Sequence, residues 1–264
     1  HDVRPLAGGA ARGAVLLPAD LLDIKNTLVS ARTLKRTLAR LNDQFPRLYA
    51  LSVLLEDCPG IVEAISKTVD DRSGEVLDSA SEKLGVIRRE IRQAHERLMD
   101  KLQRLITDPH RAQYLQEALI TQRDGRYVIP LKANFKGRIR GIVHDQSASG
   151  ATLFIEPLAV VELNNTWREL QLKEQEEIRR ILAEVSALIG EQAGEIARVV
   201  ETLAEIDLAF AKAKYAEAMR ANEPLLVSFP QEEGSRKQEA GIPHSSFIVP
   251  HLHALPGSVI HLRA

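Results

Sequence analysis

Cysteine, aromatic residues and net charge are all scarce in this sequence of 264 residues. Cys58 is its single cysteine, which excludes an internal disulfide framework and a thiolate metal cluster. Aromatic residues make up 4% of the chain, a proportion typical of long helices packed through thin aliphatic seams. The formal net charge of −1 provides no overall attraction to nucleic acid, so any such affinity has to come from a local patch.

Long apolar runs and targeting signals are also missing. We find no signal-peptide pattern and no uninterrupted apolar stretch long enough to span a membrane. Together with the single cysteine, these absences lead us to expect a cytoplasmic location and no membrane partner. The chain begins with His1 rather than methionine, so we expect it to be a piece of a longer protein.

Motifs that bind nucleotides or build active sites are missing too. The sequence has neither a G-x-x-x-x-G-K-[ST] phosphate loop nor a G-x-G-x-x-G after a strand. His251 and His253 share one face of a predicted strand, but no nearby carboxylate or cysteine completes a metal site. The run His144–Ser149 holds histidine, aspartate and serines too close together for a hydrolase site, and it predicts a polar loop. We therefore expect no catalytic residue, no cofactor and no metal in this chain.

Helical periodicity dominates both sides of the sequence. Apolar residues recur every three or four positions along Leu21–Leu41, and a near-heptad seam covers Ser73–Thr107. A second long seam covers Pro157 to about Asn222, where Gly190 and Gly194 indicate a bend or a break. We predict that the two long seams form helices of more than thirty residues each, which pack antiparallel as a coiled-coil stalk.

The polar face of the first long seam is rich in charge. Arg88, Arg89 and Arg97 lie there among glutamates. Mixed faces of this kind are most often solvated. We therefore expect these arginines to contact solvent. Their replacement can then serve as a control when basic residues of a candidate binding site are replaced.

The stretch Thr121–Pro157 between the two seams has no helical period. It is rich in β-forming residues and is broken by glycines. We predict strands at Arg126–Phe135, Arg138–Val143 and Ala151–Ile155, with a tight hairpin turn at Gly137 that places basic side chains at its end. A small β module between two long helices is expected to lie at the tip of the stalk.

The same stretch is locally basic. No carboxylate occurs between Gly125 and His144, whereas six cations lie in or beside that interval: Arg123, Arg126, Lys132, Lys136, Arg138 and Arg140. Basic side chains on a projecting hairpin suit contacts to phosphates, which position a protein on a nucleic acid without reading its bases. We predict these six residues as nucleic-acid contacts, with a solvated hairpin or a site for an acidic protein as the alternative.

The predicted fold class is therefore mainly α, with long antiparallel helical arms and a small antiparallel β module inserted between them. Residues 1–120 form the first helical part, 121–157 the basic β module and 158–222 the second helical part. Residues 223–264 contain three short β-forming runs: Leu225–Val227, Phe247–Val249 and Val259–Leu262. We interpret them as the first strands of a further domain, with a small terminal β element as the alternative.

Two runs within the basic stretch carry a family signature. Gln122–Lys132 reads QRDGRYVIPLK, and Gly141–Pro157 reads GIVHDQSASGATLFIEP. Together with Leu163–Asn165, Arg168–Leu170 and Asp2–Pro5, they closely resemble the signature of the second bacterial MutS subfamily. The second run is long and specific, and the resemblance extends in outline over the whole chain.

The resemblance implies a domain order. Members of this subfamily lack the mismatch-reading and connector domains of mismatch-repair MutS, and they begin with a helical lever region interrupted by a clamp module. An ABC-type ATPase domain follows, which uses ATP and magnesium and forms the homodimer, and a C-terminal Smr nuclease domain is frequent. By this comparison, residues 1–120 and 158–222 are lever, 121–157 is the clamp, and 223–264 opens the ATPase domain. The chain carries no Walker or Smr motif, so ATPase and nuclease activities are expected outside it.

The resemblance also implies partners. Subfamily members are associated with suppression of homologous recombination through branched DNA and with the splitting of collided ribosomes. We therefore expect a module that grips DNA or ribosomal RNA under the control of the ATPase domain. A structural coiled-coil spacer, whose basic tip meets an acidic partner, is the alternative. The two differ in salt dependence, because only phosphate contacts impose a steep loss of affinity as salt rises.

Overall fold

Helices account for most of the described chain, and one small sheet interrupts them. The computed structural model of the protein describes residues 2–221 and, beyond them, only residues 226–228 and 258–260. The predicted fold class, mainly α with a small antiparallel β module, is confirmed. The chain divides into two compact units, His1–Ala204 and Glu205–Ala264.

Eight α-helices occur in the described residues: α1 (Arg4–Ala11), α2 (Pro18–Arg40), α3 (Pro46–Val53), α4 (Ile61–Thr68), α5 (Glu82–Thr107), α6 (Pro109–Ala112), α7 (Val161–Glu191) and α8 (Ala193–Ala218). Proline occupies the first turn of α2, α3 and α6. An N–H at that position has no partner within the helix, so proline begins these helices without losing a hydrogen bond. In the part of the chain that the structure describes, no helix combines the length and the hydropathy needed to cross a membrane.

Helix α5 begins later than its apolar seam predicts. The seam starts at Ser73, but the helix starts at Glu82 and has 26 residues. Among the described helices, only α7 exceeds thirty residues, with 31, so the expectation of two such helices is wrong. The reason lies at Ser81, whose hydroxyl caps the helix by accepting a hydrogen bond from the backbone N–H of Leu84 at 2.9 Å.

The second long seam is divided between α7 and α8. Helix α7 ends at Glu191 and α8 begins at Ala193, which confirms the interruption predicted near the two glycines. Gly190 also has a packing role, because a Cβ atom at this position would lie 2.8 Å from the carbonyl oxygen of Ala10 in α1. A residue with a side chain would push α1 away from α7, so this crossing requires glycine.

Helices α5 and α7 pack against each other in antiparallel orientation. Arg88 of α5 bonds to Glu174 of α7, and seven residues further along α5 the ring of His95 lies 5.9 Å from that of Trp167. Residue numbers thus rise along one helix as they fall along the other. The antiparallel pairing agrees with the two predicted seams, whereas the supercoil of a coiled coil stays a prediction.

Arg88 does not lie on a solvated face, contrary to the sequence-based expectation. Its side chain is 19% exposed, and its Nε donates a hydrogen bond to Glu174 Oε1 at 2.7 Å. Its Nη1 also pairs with Asp78, just before α5. Arg88 therefore joins the two helices and is unsuitable as a control, whereas Arg89 and Arg97 are exposed as expected.

Glu177 forms a second polar joint between α5 and α7. Its carboxylate is fully buried and accepts hydrogen bonds from Arg180 Nη2 at 2.7 Å and from Ser81 Oγ at 2.9 Å. Lys83 Nζ lies 3.0 Å from its other oxygen. The hydrogen bond from Arg180, supported by those from Lys83 and Ser81, lowers the pKa of Glu177 from its ordinary 4.5 to about 2.

Replacing Glu177 with glutamine is expected to remove part of the acid sensitivity of the fold. Because folding lowers the pKa of this carboxyl, its charged form stabilises the native protein fully above pH 4.5 and loses that effect as the pH falls to about 2. The difference in the free energy of unfolding between parent and variant should therefore shrink over that interval. Urea unfolding at several pH values measures it, and a difference independent of pH would contradict the prediction.

Four strands form one antiparallel sheet within the predicted β stretch: β1 (Thr121–Arg123), β2 (Arg126–Lys132), β3 (Gly141–Gln146) and β4 (Thr152–Pro157). Their order across the sheet is β1-β2-β4-β3. The predicted hairpin at Gly137 is wrong, because β4 lies between β2 and β3. Pairing β2 with β4 sets Ile129 against Ile155 and Leu131 against Leu153, and this places all four in the core.

The sheet packs on the antiparallel helix pair through a shared apolar core. Core residues of the C-terminal half of α5 and of the first turns of α7 meet those of β2 and β4. The core comprises Ala94, Leu98, Leu102, Leu105, Ile106, Leu115, Ile129, Leu131, Leu153, Ile155, Val160, Trp167 and Leu170. The sheet therefore covers the last turns of α5 and the first turns of α7, at the end where the chain passes from one helix to the other.

Two further strands, β5 (Leu226–Ser228) and β6 (Ser258–Ile260), pair antiparallel. They overlap, in two residues each, the first and the third of the β-forming runs predicted after residue 222. The second run, Phe247–Val249, lies outside the described residues, as do His251 and His253. The interpretation of residues 223–264 as the beginning of an ATPase domain stays a prediction.

Candidate nucleic-acid interface

The connection between β2 and β3, residues 133–140, presents three basic side chains that we call the loop cations: Lys136, Arg138 and Arg140. All three residues are exposed, and none of them forms an ion pair with a carboxylate in the part of the chain that the structure describes. The backbone that carries them is held in place. The N–H of Arg138 donates to the carbonyl of Phe135 at 3.0 Å, and the N–H of Leu158 donates to that of Arg140 at 3.0 Å.

Lys132 lies just before this connection, and its ammonium group already makes one hydrogen bond within the protein. Its Nζ donates a hydrogen bond to the carbonyl oxygen of Gln113 at 3.1 Å and lies 6.0 Å from the ring centroid of Phe135. The side chain thereby ties the end of β2 to the turn after α6. An ammonium group has three donors, so Lys132 retains two for a ligand.

Arg126 is held in a polar network at the beginning of β2. Its Nη1 lies 2.8 Å from Glu156 Oε1, and its Nη2 donates to Asn165 Oδ1 at 2.7 Å. The Glu156 side chain is fully buried, and its second oxygen lies 2.7 Å from His144 Nε2. A buried carboxylate needs such partners, because its charge is costly without them. Arg126 therefore neutralises Glu156 and connects the sheet to α7.

Asn164 forms the neighbouring connection between α7 and the sheet. It is buried, its Oδ1 accepts a hydrogen bond from the N–H of Tyr127 at 3.0 Å, and its Nδ2 donates to the carbonyl of the same residue at 3.1 Å. The carboxamide thus satisfies both backbone groups of one residue, as a neighbouring strand would. The sequence places Asn164 and Asn165 within the family signature but does not reveal that they fasten the helix to β2.

Arg123 also makes hydrogen bonds to other residues of the sheet. Its Nε donates to Asp145 Oδ2 at 3.0 Å, and its Nη1 donates to Thr121 Oγ1 at 3.2 Å and to the carbonyl of Gln122 at 2.9 Å. Its guanidinium carbon lies 4.2 Å from the ring centroid of Phe154. The side chain is 38% exposed, so one part of the group still reaches solvent.

The polar run His144–Ser149 forms the end of β3 and the start of the turn after it, rather than a hydrolase site. The Nε2 of His144 faces Glu156, whereas Ser147 Oγ accepts a hydrogen bond from the N–H of Thr152 at 3.1 Å. No Ser–His hydrogen bond occurs among the described residues. The same residues contain no group of three histidine, cysteine or acidic side chains able to hold a metal ion. The polar loop that the sequence predicts at His144–Ser149 is correct only from Ser147 onward, because residues 144–146 lie in β3.

The six predicted contacts thus separate into two groups. The loop cations and Lys132 lie at the end of β2 and along the connection to β3, and they offer unpaired donors. Arg123 and Arg126 lie toward the beginning of the sheet and are paired with Asp145 and Glu156. Contact of any of the six with nucleic acid stays a prediction, but only the first group has the free charge that phosphates require.

Comparison with curated proteins provides relatives with the name Endonuclease MutS2. The chain is 47% identical over 230 residues to the protein of Geobacillus kaustophilus (strain HTA426). It is 43% identical over 230 residues to that of Thermomicrobium roseum. Each alignment covers 86% of this chain and 29% of the relative, so the chain spans less than a third of the length of the curated relatives it matches.

No family model matches the chain. The alignment with the relatives nevertheless extends over most of its length, so it spans the sequence from which the sheet and its joint with α7 are built. The resemblance inferred from the two signature runs therefore agrees with the comparison. We conclude that this chain belongs to the MutS2 family.

Proposed function

We propose that the sheet and its 133–140 connection form a nucleic-acid-gripping module within a longer MutS2-type ATPase. The observation that carries this proposal is the set of loop cations. Three exposed positive charges lie within five residues, on a backbone fixed by hydrogen bonds, and without a carboxylate partner in the described structure. Such a group attracts phosphates and gains affinity from the release of counterions.

The mode of contact follows from the same chemistry. Lysine and arginine on an exposed connection reach backbone phosphates without entering a groove, so they position the protein and carry no sequence information. Lys132 adds a fourth charge at the edge of the group. Arg126 has a supporting role in this proposal, because it holds Glu156 and the joint to α7.

Helices α5 and α7 are the lever in this proposal. Their polar joints hold the two helices together. The core shared with the sheet and the hydrogen bonds of Asn164 and Asn165 to β2 connect the module to this helix pair. A movement of the helices would then move the module as one body. We infer that an ATPase domain with ATP and magnesium, the homodimer contact and the endonuclease activity in the relatives' name belong to the remainder of the protein. The chain itself would bind no nucleotide.

The target is branched DNA or the RNA of stalled or collided ribosomes, and both present dense phosphate charge. The competing proposal, a spacer that meets an acidic protein, is supported by the internal pairing of Arg123 and Arg126, which removes two of the six predicted contacts. The two proposals differ in their response to salt. Phosphate binding weakens linearly on a plot of log affinity against log salt.

Fluorescence anisotropy with labelled duplex DNA, a DNA four-way junction and a ribosomal RNA stem-loop tests the proposal. We expect this chain to bind all three, with affinity falling about fortyfold between 50 and 200 mM salt, as three phosphate contacts would cause. Absence of binding to all three at 50 mM salt would contradict the proposal and favour the acidic protein partner.

A further inference from the structure

Arg123 differs from the loop cations in the way that its guanidinium is held. Its Nε and Nη1 make three hydrogen bonds, to Asp145, Thr121 and the backbone of Gln122. Its guanidinium carbon lies over the ring of Phe154, 4.2 Å from the ring centroid. Hydrogen bonds at the edge and a ring beneath leave the group little freedom to rotate.

This arrangement makes Arg123 a weak phosphate contact. Asp145 lies 3.0 Å from it and already supplies the negative charge that a phosphate would bring. Phe154 lies against the guanidinium in a cation–π contact. The side chain is nevertheless 38% exposed, so a ligand can still reach part of it.

We propose that Arg123, layered on Phe154, is a stacking platform for an unpaired nucleobase. This inference rests on the proposed nucleic-acid function and adds the part of the ligand that the site recognises. Proteins stack splayed-out bases on aromatic rings and on arginine planes, and such stacking tolerates any base because every base has a π face. A base inside a duplex cannot reach the platform, so the site favours branch points, loops and single strands.

The position of the platform suits this role. The loop cations precede Gly141, where β3 begins, and Asp145 lies four residues further along the same strand. Four strand residues span roughly 13 Å. One nucleic-acid segment can therefore place its phosphates on the loop cations and an unpaired base on Arg123. The platform also explains why an acidic residue, Asp145, occurs within a basic surface, because it neutralises and orients Arg123.

The test compares Arg123→Lys with Arg97→Lys, a control on the exposed face of α5 away from the proposed site. Both variants retain the charge, but lysine has no plane on which a base can stack. The ligands are a duplex and a matched duplex with one unpaired 2-aminopurine, whose fluorescence is quenched on stacking. For Arg123→Lys we expect roughly tenfold weaker binding of the unpaired-base ligand, loss of its fluorescence change, and less than a twofold change for the duplex. Arg97→Lys should change neither ligand by more than twofold.

Phe154→Leu provides an independent variant, because it keeps an apolar residue in β4 and removes the ring that supports Arg123. It should reproduce the weaker binding of the unpaired-base ligand and the loss of its fluorescence change, with little effect on the duplex. Parent-like binding and fluorescence in both variants would overturn the stacking role while leaving the proposed function intact. An equal loss on both ligands would also overturn it and would make Arg123 an ordinary phosphate contact. Failure of the parent to bind either ligand would instead refute the proposed function itself.

Discussion

Replacing Arg126 with methionine is expected to lower the free energy of unfolding by about 3–5 kcal/mol. Methionine keeps much of the apolar volume but removes the cation that lies 2.8 Å from Glu156 Oε1. The Glu156 carboxylate would then remain fully buried without its arginine partner, which costs more than the original pair contributed. Urea unfolding of parent and variant at neutral pH, followed by circular dichroism, measures the difference.

Two further variants test the cause of this loss. Arg138→Met removes an exposed and unpaired cation, so it should change the stability by no more than about 0.5 kcal/mol. Adding Glu156→Gln to Arg126→Met removes the buried charge as well, and it should restore a large part of the lost stability. An Arg126→Met protein as stable as the parent would contradict the prediction, because Glu156 would then not depend on Arg126.

Replacing all three loop cations with glutamine is expected to weaken duplex binding by about 10²–10³-fold at 0.1 M salt. Each cation that neutralises a phosphate contributes about 0.9 to the slope of log affinity against log salt. Removing three cations lowers this slope by about 2.7. If parent and variant bind equally at 1 M salt, the variant therefore binds about 2.7 decades more weakly at 0.1 M. The side chains are exposed, and each substitution should alter the stability by no more than about 0.5 kcal/mol. Anisotropy titrations and thermal melts of the same preparations separate the two effects.

A matched control is available on α5. Arg89, Arg97 and Lys101 are exposed and, in the part of the chain that the structure describes, form no ion pair. Their combined replacement by glutamine changes the net charge by the same amount as the loop variant. We expect this control to bind nearly as the parent does. An equal loss in both triple variants would mean that overall charge, rather than the loop cations, determines affinity.

The sequence predicts the parts of the fold that depend on local pattern. The apolar seams indicate the helices, and the β-forming run at 121–157 indicates the sheet. The strand order could not be predicted in the same way. Gly137 does adopt a positive φ of 89°, as a tight turn requires, but the partner of β2 is decided by the burial of Ile129 and Leu131 against β4, which lies further along the chain.

The candidate site shows the same limit. Charge can be counted along a sequence, whereas pairing depends on residues that are distant in the chain. Arg126 meets Glu156 thirty residues later, and Arg88 meets Glu174 eighty-six residues later, so neither partner is visible in a local window. The loop cations were predictable because no carboxylate lies near them in sequence and none pairs with them in the described fold.

The salt dependence of duplex binding, compared between the parent and the triple loop variant, tests the phosphate-gripping role most directly. The plot of log affinity against log salt should be less steep for the variant by about 2.7, or about 0.9 for each cation removed. The α5 control should retain the slope of the parent. A loop variant that melts normally and keeps both the affinity and the slope of the parent would contradict the phosphate-gripping role and favour a site for an acidic protein.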